Sequence, residues 1–211
     1  MPRMFSSRNF SLEITIELFS ESETEQLAAH LALCLKPGIH LYLEGDLGSG
    51  KTTLTRALLR ALGHKGSVKS PTYALVEHYT LNNLNIYHLD LYRIADCAEL
   101  DMIGIRDILH DENSCIVEWA SRGKSALPPP ALEIIIKNSA EKMPDETFKN
   151  NILGLELDSI DGKEVALLDA QTSPFNTQRW FTIRVNPRYE ALAVSLHSFL
   201  SQWSVSCSDP S

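Results

Sequence analysis

Leu27, Leu31 and Leu35 recur every four residues, the spacing of one helix face. Ser22-Glu23-Thr24-Glu25 just ahead of them is a capping-box pattern, which predicts a helix starting there and stopping at Gly38. Ile39 to Glu44 is a short apolar run that reads as a strand. Gly45 to Thr52 is rich in glycine and reads as a loop. From Lys51 a second helix follows, with Leu54, Leu58 and Leu62 on one face and Gly63 at its end. Ala74 to Tyr79 and Leu84 to Leu89 are rich in β-formers, with Asn82-Asn83 between them, so a hairpin is predicted. Asp96-Cys97-Ala98-Glu99 opens another short helix, and Ser114 to Glu118 is an apolar run that ends in an acid. Pro128-Pro129-Pro130 forces extended backbone before a strand at Leu132 to Lys137.

Asn138 to Gln178 has a different character, polar and poorly periodic. Inside it, Leu155, Leu157, Val165 and Leu167 flank Asp161-Gly162 and suggest a small extra hairpin. Trp180 to Val185 alternates like a strand. Asn186-Pro187 starts a closing helix whose apolar face is Leu192, Leu196 and Leu200. Met1 to Phe10 and the residues from Ser204 read as disordered tails. The expected organisation is one domain over residues 1–203, with 138–178 as an insertion and 204–211 as a tail.

The chain has 211 residues, of which 44% are hydrophobic, enough for a real core. Its net charge of −8 repels nucleic acid and anionic lipid at long range, so it is a poor non-specific ligand for either. No apolar run is long enough to span a bilayer, and the N-terminus lacks the apolar stretch of a secretory signal. Cys34, Cys97, Cys115 and Cys207 form no Cys-x-x-Cys pair and read as free thiols in a reducing compartment, so the expected location is the cytoplasm.

One motif carries chemistry. Gly45-Asp46-Leu47-Gly48-Ser49-Gly50-Lys51-Thr52 matches G-x-x-x-x-G-K-[ST] in full, with a strand before it and a helix after it. The glycines let backbone N–H groups curl inward at phosphate oxygens, and the helix N-terminus adds partial positive charge behind them. Lys51 supplies a mobile cation and Thr52 an oxygen for Mg²⁺, so ATP and Mg²⁺ are the expected ligands. Such a site also needs an acid near the metal. Asp90 and Glu118 each end a predicted strand, and strand C-termini gather at the loop's edge of such a sheet. Lys65, Lys69, Arg93 and Arg106 are expected near that edge too.

The chain lacks an Asn-Lys-x-Asp guanine reader, and Asp101-Met102-Ile103-Gly104 lies in a helix-like stretch rather than at a strand end. The residues alone leave an ATPase with a hairpin inserted after its first P-loop helix. A P-loop kinase of a small metabolite and an ATP-gated assembly factor remain the rivals.

The P-loop through Thr53, Val68-Lys69-Ser70-Pro71-Thr72-Tyr73, His88-Leu89-Asp90-Leu91-Tyr92-Arg93, Met102 to Asp107 and Val117-Glu118-Trp119 together resemble the bacterial TsaE (YjeE) family. The likeness runs in order from about Thr24 to Lys137, and Trp180 to Val185 with the last helix resembles the family's usual ending. The long segment 138–178 departs from it. The resemblance implies an α/β P-loop NTPase fold, three layers around a mixed sheet. It implies the ATPase subunit of tRNA threonylcarbamoyladenosine synthesis, which works with two partner proteins and meets tRNA only through them. It implies that Gly45, Asp46, Leu47, Gly48, Ser49, Gly50, Lys51, Thr52, Thr53 and Trp119 meet the nucleotide. By the same likeness Thr52 and Glu118 contact Mg²⁺ and Asp90 supports hydrolysis. Ser70, Pro71, Thr72 and Tyr73 form a switch-like loop, and Thr24 lies near the adenine.

Overall fold

The computed structural model describes residues 10–138 and 178–206. In chain order its elements are β1 (Leu12–Leu18), α1 (Glu21–Cys34), β2 (His40–Glu44), α2 (Lys51–Ala61), β3 (Val76–Leu81) and β4 (Leu84–Asp90). They continue as α3 (Ala98–Met102), α4 (Ile105–Ile108), β5 (Asn113–Glu118), β6 (Leu132–Asn138), β7 (Arg179–Val185) and α5 (Glu190–Ser206). The strands form one seven-stranded sheet in the order β1-β7-β6-β2-β5-β4-β3.

β2 lies near the middle and pairs in parallel with β5 on one side and β6 on the other. β4 adds to β5 in parallel, and β3 closes that edge as the antiparallel arm of a hairpin. Asn82 and Asn83 make its two-residue turn, both with positive φ (51° and 62°), as a type I′ turn requires. On the other side β6, β7 and β1 are antiparallel neighbours. The mixed α/β sheet expected from the sequence is therefore present.

Helices cover both faces unequally. Leu27, Leu31, Leu54, Leu58 and Leu196 from α1, α2 and α5 pack with Leu41, Leu43, Ile134, Ile136, Phe181 and Ile183 in the larger core. On the second face Leu100, Ile105 and Ile108 from α3 and α4 pack with Tyr42, Cys115 and Val117. The short helix expected to open at Asp96–Glu99 is present as α3, and Gly104, at φ 70°, separates it from α4. Cys34 and Cys115 are buried free thiols. No described helix is long and apolar enough to cross a membrane.

Three details differ from the sequence reading. α1 starts at Ser20, whose hydroxyl accepts from the Glu23 N–H while the Glu23 carboxylate accepts from the Ser20 N–H. The box is thus Ser20/Glu23, the pattern two residues before the one expected at Ser22. β1 was not anticipated at all. It lines the sheet edge against β7, with Leu12↔Val185 and Leu18↔Arg179 as the ends of the ladder. α5 continues through Ser204 to Ser206, where a disordered tail was expected. The predicted hairpin of Leu155, Leu157, Val165 and Leu167, the tail Met1–Asn9 and Cys207 lie outside the described residues. The segment 139–177 connects strands that pair directly, with Asn138 opposite Arg179.

Candidate functional site

The loop between β2 and α2 folds back at the C-terminal edge of the parallel strands. Gly45, Gly48 and Gly50 all have positive φ (138°, 78° and 109°), so a side chain at any of them is strained. Two are also crowded. A Cβ on Gly45 would collide with the Ile136 carbonyl, and one on Gly50 would meet the Arg179 guanidinium at 2.6 Å. The Lys51 side chain turns back over the loop. Its Nζ donates to the carbonyls of Gly45 (2.6 Å) and Asp46 (2.7 Å) and to Ser49 Oγ (3.4 Å). It also lies 3.9 Å above the Trp119 ring. Burial holds its pKa below the ordinary lysine value, opposed by the nearby carboxylates of Glu118, Asp90, Glu44 and Asp46. These carbonyl partners are uncharged, so phosphate oxygens replacing them would give the ammonium a full opposite charge.

Glu118 and Asp90 end β5 and β4 and stand opposite each other in the ladder. Both are buried, 2% and 3% exposed. Thr52 Oγ1, in the first turn of α2, donates to Glu118 Oε2 at 2.9 Å. The other oxygen, Oε1, faces His88 Nε2 at 2.8 Å. Asp90 Oδ2 accepts from Ser70 Oγ and from Thr72 Oγ1 (2.8 Å), and its Oδ1 accepts from the Tyr92 N–H (3.0 Å). The 70–75 loop thus hangs on Asp90. It is closed by the Leu75 N–H donating to the Pro71 carbonyl at 2.6 Å, with Leu75 at φ 64°. Tyr73 stands 84% exposed at its tip, with the Arg93 guanidinium 4.2 Å from its ring.

Trp119 adopts a left-handed backbone (φ 60°), which a bulky residue keeps only where its surroundings hold it. Its neighbours are Lys51 on the ring, Tyr92 at 5.1 Å and Arg122 at 5.8 Å. On the other side of the loop, Glu44 accepts from the N–H (2.5 Å) and hydroxyl (3.1 Å) of Ser121. Burial raises its pKa, and those two bonds oppose the shift.

Between these groups lies an open cavity of about 280 Å³ lined by Gly48, Gly50, Lys51, Thr52, Asp90 and Glu118, among others. The sequence-predicted Leu47, Thr53, Ser70, Thr72 and Trp119 line it too. Pro71 and Tyr73 do not. Nor does Thr24, which is buried in α1 with its hydroxyl on the Ser20 carbonyl. A larger cavity of about 370 Å³ lies on the second face, against Tyr42, Leu127 and Pro128 to Pro130. None of the residues lining it has a buried polar side-chain atom without a partner, whereas the loop's flank has one.

That atom is Nε of Arg179, which sequence reasoning missed. Arg179 is the first residue of β7 and its guanidinium rests on Gly50. Nothing local marks it, because the ladder brings it to the loop from far along the chain. Arg93 and Arg106, expected near this edge, divide. Arg93 stacks on Tyr73, whereas Arg106 pairs with Asp101 at 3.6 Å on the surface.

The donor set suits a hard cation. Thr52 and Glu118 present oxygens side by side, with Asp90 in the same cavity. Among the described residues no group of three or more His, Cys, Asp or Glu could hold a metal by itself. A cation here would complete its shell with phosphate oxygens and water, as Mg²⁺ does beside nucleotides. The glycine loop is open at Gly48, where a Cβ would meet nothing within 4 Å, and its positive-φ glycines free backbone N–H groups to face a phosphate chain.

Residues 18–147, more than half the chain, match the sequence model of the family described as Threonylcarbamoyl adenosine biosynthesis protein TsaE. A relative in Haemophilus influenzae, named tRNA threonylcarbamoyladenosine biosynthesis protein TsaE, is 52% identical over 98 residues. That alignment spans 46% of this chain and 62% of the relative, less than two thirds of its length. The protein of the same name in Bacillus subtilis is 39% identical over 126 residues, 60% of this chain and 78% of that one. The crystal structure of Bacillus subtilis YdiB superposes with a TM-score of 0.61 at 27% identity, covering 89% of this chain and 96% of that one.

Proposed function

The chain belongs to the TsaE family, and on that premise we propose that it is the ATP-binding and ATP-hydrolysing subunit required for tRNA threonylcarbamoyladenosine biosynthesis. It acts in the cytoplasm with two partner proteins that carry out the transfer and hold the tRNA. The modified base is the adenosine beside the anticodon in tRNAs that read codons beginning with A. Hydrolysis sustains turnover of that complex, and this subunit does not itself move the threonylcarbamoyl group. The names of the relatives, tRNA threonylcarbamoyladenosine biosynthesis protein TsaE, support the pathway. The net charge of −8 supports indirect contact with tRNA.

The observation that carries the ATPase reading is the bond from Thr52 Oγ1 to Glu118 Oε2 in the cavity that also holds Lys51 and Asp90. Lys51 exchanges its loop carbonyls for the terminal phosphates, while the N–H groups of Gly48 to Thr52 cradle them. Thr52 and Glu118 would hold Mg²⁺, which when bound would supply positive charge to the phosphate oxygens. Asp90 supports hydrolysis by accepting a hydrogen bond from the attacking water. To do so it must release the Ser70 or Thr72 hydroxyl, which ties the switch-like loop to the state of the nucleotide. Arg179 supplies a second cation, on the flank of the loop at Gly50. Trp119 covers Lys51 between turnovers.

ATP consumption by the purified chain, with and without the two partner proteins, tests the proposal. Slow hydrolysis alone and faster hydrolysis with the partners is the expected result. Consumption that depends instead on a small phosphate acceptor would replace it with a metabolite kinase.

A further inference from the structure

Glu118 has two carboxylate oxygens, and the fold treats them differently. Oε2 faces the cavity and Thr52, whereas Oε1 points down into the sheet toward His88. His88 lies two residues before Asp90 on β4, so both side chains leave the same face, and across the ladder it stands opposite Ile116. It is fully buried, at 0% exposure. Leu84 and Ile86 earlier on β4 show that this part of the strand accepts plain hydrophobes. Packing alone does not call for an imidazole here. Its Nδ1 is buried without a partner among the described residues, so the ring satisfies one nitrogen and leaves the other bare. An ionised carboxylate only accepts, which makes Nε2–H the donor in the 2.8 Å contact.

We propose that His88 confines Glu118 to acting on the bound cation through a single oxygen and thereby sets the site's preference for Mg²⁺ over Ca²⁺. The inference rests on the metal role given to Glu118 above. Mg²⁺ is small, holds its ligands at about 2.1 Å in a strict octahedron and keeps several waters, so one carboxylate oxygen suits it. Ca²⁺ is larger, takes more oxygens and favours carboxylates that offer both. With Oε1 engaged by His88 the two-oxygen mode is closed. His88 is a positioning residue, because it acts only through Glu118.

The test is calorimetric titration of the full chain with a non-hydrolysable ATP analogue in Mg²⁺, in Ca²⁺ and in a chelator. Wild type is expected to bind more tightly in Mg²⁺ than in Ca²⁺, and least tightly in chelator. His88→Leu removes the donor. The gain from Mg²⁺ should then shrink by about tenfold while affinity in chelator stays unchanged. Ca²⁺ should then support binding as well as Mg²⁺ does. His88→Gln places an N–H at similar reach and should restore the Mg²⁺ preference. A folded His88→Leu protein with the wild-type Mg²⁺ gain and Mg²⁺-to-Ca²⁺ ratio would overturn the inference. So would equal losses in Mg²⁺ and in chelator for both variants, which would mark a purely structural histidine. If neither variant folds, the wild-type imidazole N–H decides by nitrogen-15 NMR. It should stay protected from exchange when Mg²⁺ and the analogue bind, and its release would contradict the proposal. A wild type that binds the analogue equally with and without Mg²⁺ would instead overturn the function proposed for the site, and this inference with it.

Discussion

The two flanks of the P-loop strand are built on opposite principles. On one side β5 is buried at every position, and it runs parallel to both β2 and β4. On the other side β7 alternates buried Phe181, Ile183 and Val185 with half-exposed Trp180, Thr182 and Arg184. There Arg184 pairs with Glu13 at 2.9 Å and Glu133 at 3.1 Å across three antiparallel strands. Both flanks contain acids and cations, but they spend them differently. On the β7 flank Arg184 meets both Glu13 and Glu133 near solvent, where an ion pair contributes little. The β5 flank buries Glu118, Asp90 and Lys51 with hydroxyl, imidazole and carbonyl partners and no fixed counter-ion pair between lysine and acid. Desolvated groups left partly unmatched cost stability and are kept where a ligand completes them. Under the proposed function the chemistry falls on the β5 side and the scaffold on the β7 side, with Arg179 as the exception that reaches over to the loop.

If that division holds, substitutions on the two flanks separate stability from ligand binding. The largest effect is expected from Phe181→Ala, which empties a fully buried ring site in the main core. It should cost about 3–5 kcal/mol in denaturant unfolding, while the molecules still folded bind ATP normally. Lys51→Ala should do the reverse. Unfolding should change little, and ATP affinity should fall by about 2–5 kcal/mol in a filter-binding or calorimetric titration, the cost of truncating one side of a desolvated charge pair. Affinity near wild type would remove the loop from the account.

Asp90→Ala sharpens the contrast within the β5 flank. Binding should hold and single-turnover hydrolysis should slow by about a hundredfold. The Ser70 and Thr72 hydroxyls also lose their acceptor, so protease cleavage in the 70–75 loop should quicken. Equal loss of binding in Asp90→Ala and Glu118→Ala would erase the distinction drawn between the two acids. At the small end, Arg184→Gln breaks only half-exposed ion pairs and should cost under about 1 kcal/mol with no change in ATP affinity.

A pH test adds a sign. Burial holds the Lys51 pKa below its ordinary value of 10.5, so the free protein sheds that proton earlier than an exposed lysine would. Phosphate binding restores the charge. ATP binding should therefore take up a fraction of a proton as pH rises into the alkaline range, and affinity should decline there. Binding enthalpies measured in buffers of different ionisation enthalpy reveal the uptake, and no uptake at alkaline pH would argue against a desolvated lysine.

The sequence made the β5 flank more legible than the β7 flank, for a physical reason. The loop, its helix, the Asn82-Asn83 hairpin and the strand-ending acids are written in contiguous residues, so period and motif reveal them. β1 alternates Leu12, Ile14, Ile16 and Leu18 with Glu13, Thr15 and Glu17, a period-two strand pattern in the sequence. Its partner lies in β7 at the other end of the chain, and no local signal gives that pairing. The cap of α1 was misplaced because two S-x-x-E patterns overlap there, and only the backbone at Ser20, extended at φ −145°, chooses between them. Arg179 and His88 share the limitation of β1. The roles argued for them depend on ladder register, which brings Arg179 to Gly50 and His88 under Glu118.

The central claim is that Glu118, Thr52 and Lys51 make a Mg²⁺-dependent ATP site that serves a larger complex. Steady-state hydrolysis of ATP by the full chain with the two partner proteins proposed for it and tRNA, run beside Lys51→Ala and Glu118→Ala, tests it most directly. The account predicts slow turnover by the chain alone, acceleration in the complete mixture, dependence on Mg²⁺ and loss of that acceleration in both variants. Equal rates for wild type and both variants in the complete mixture would contradict it.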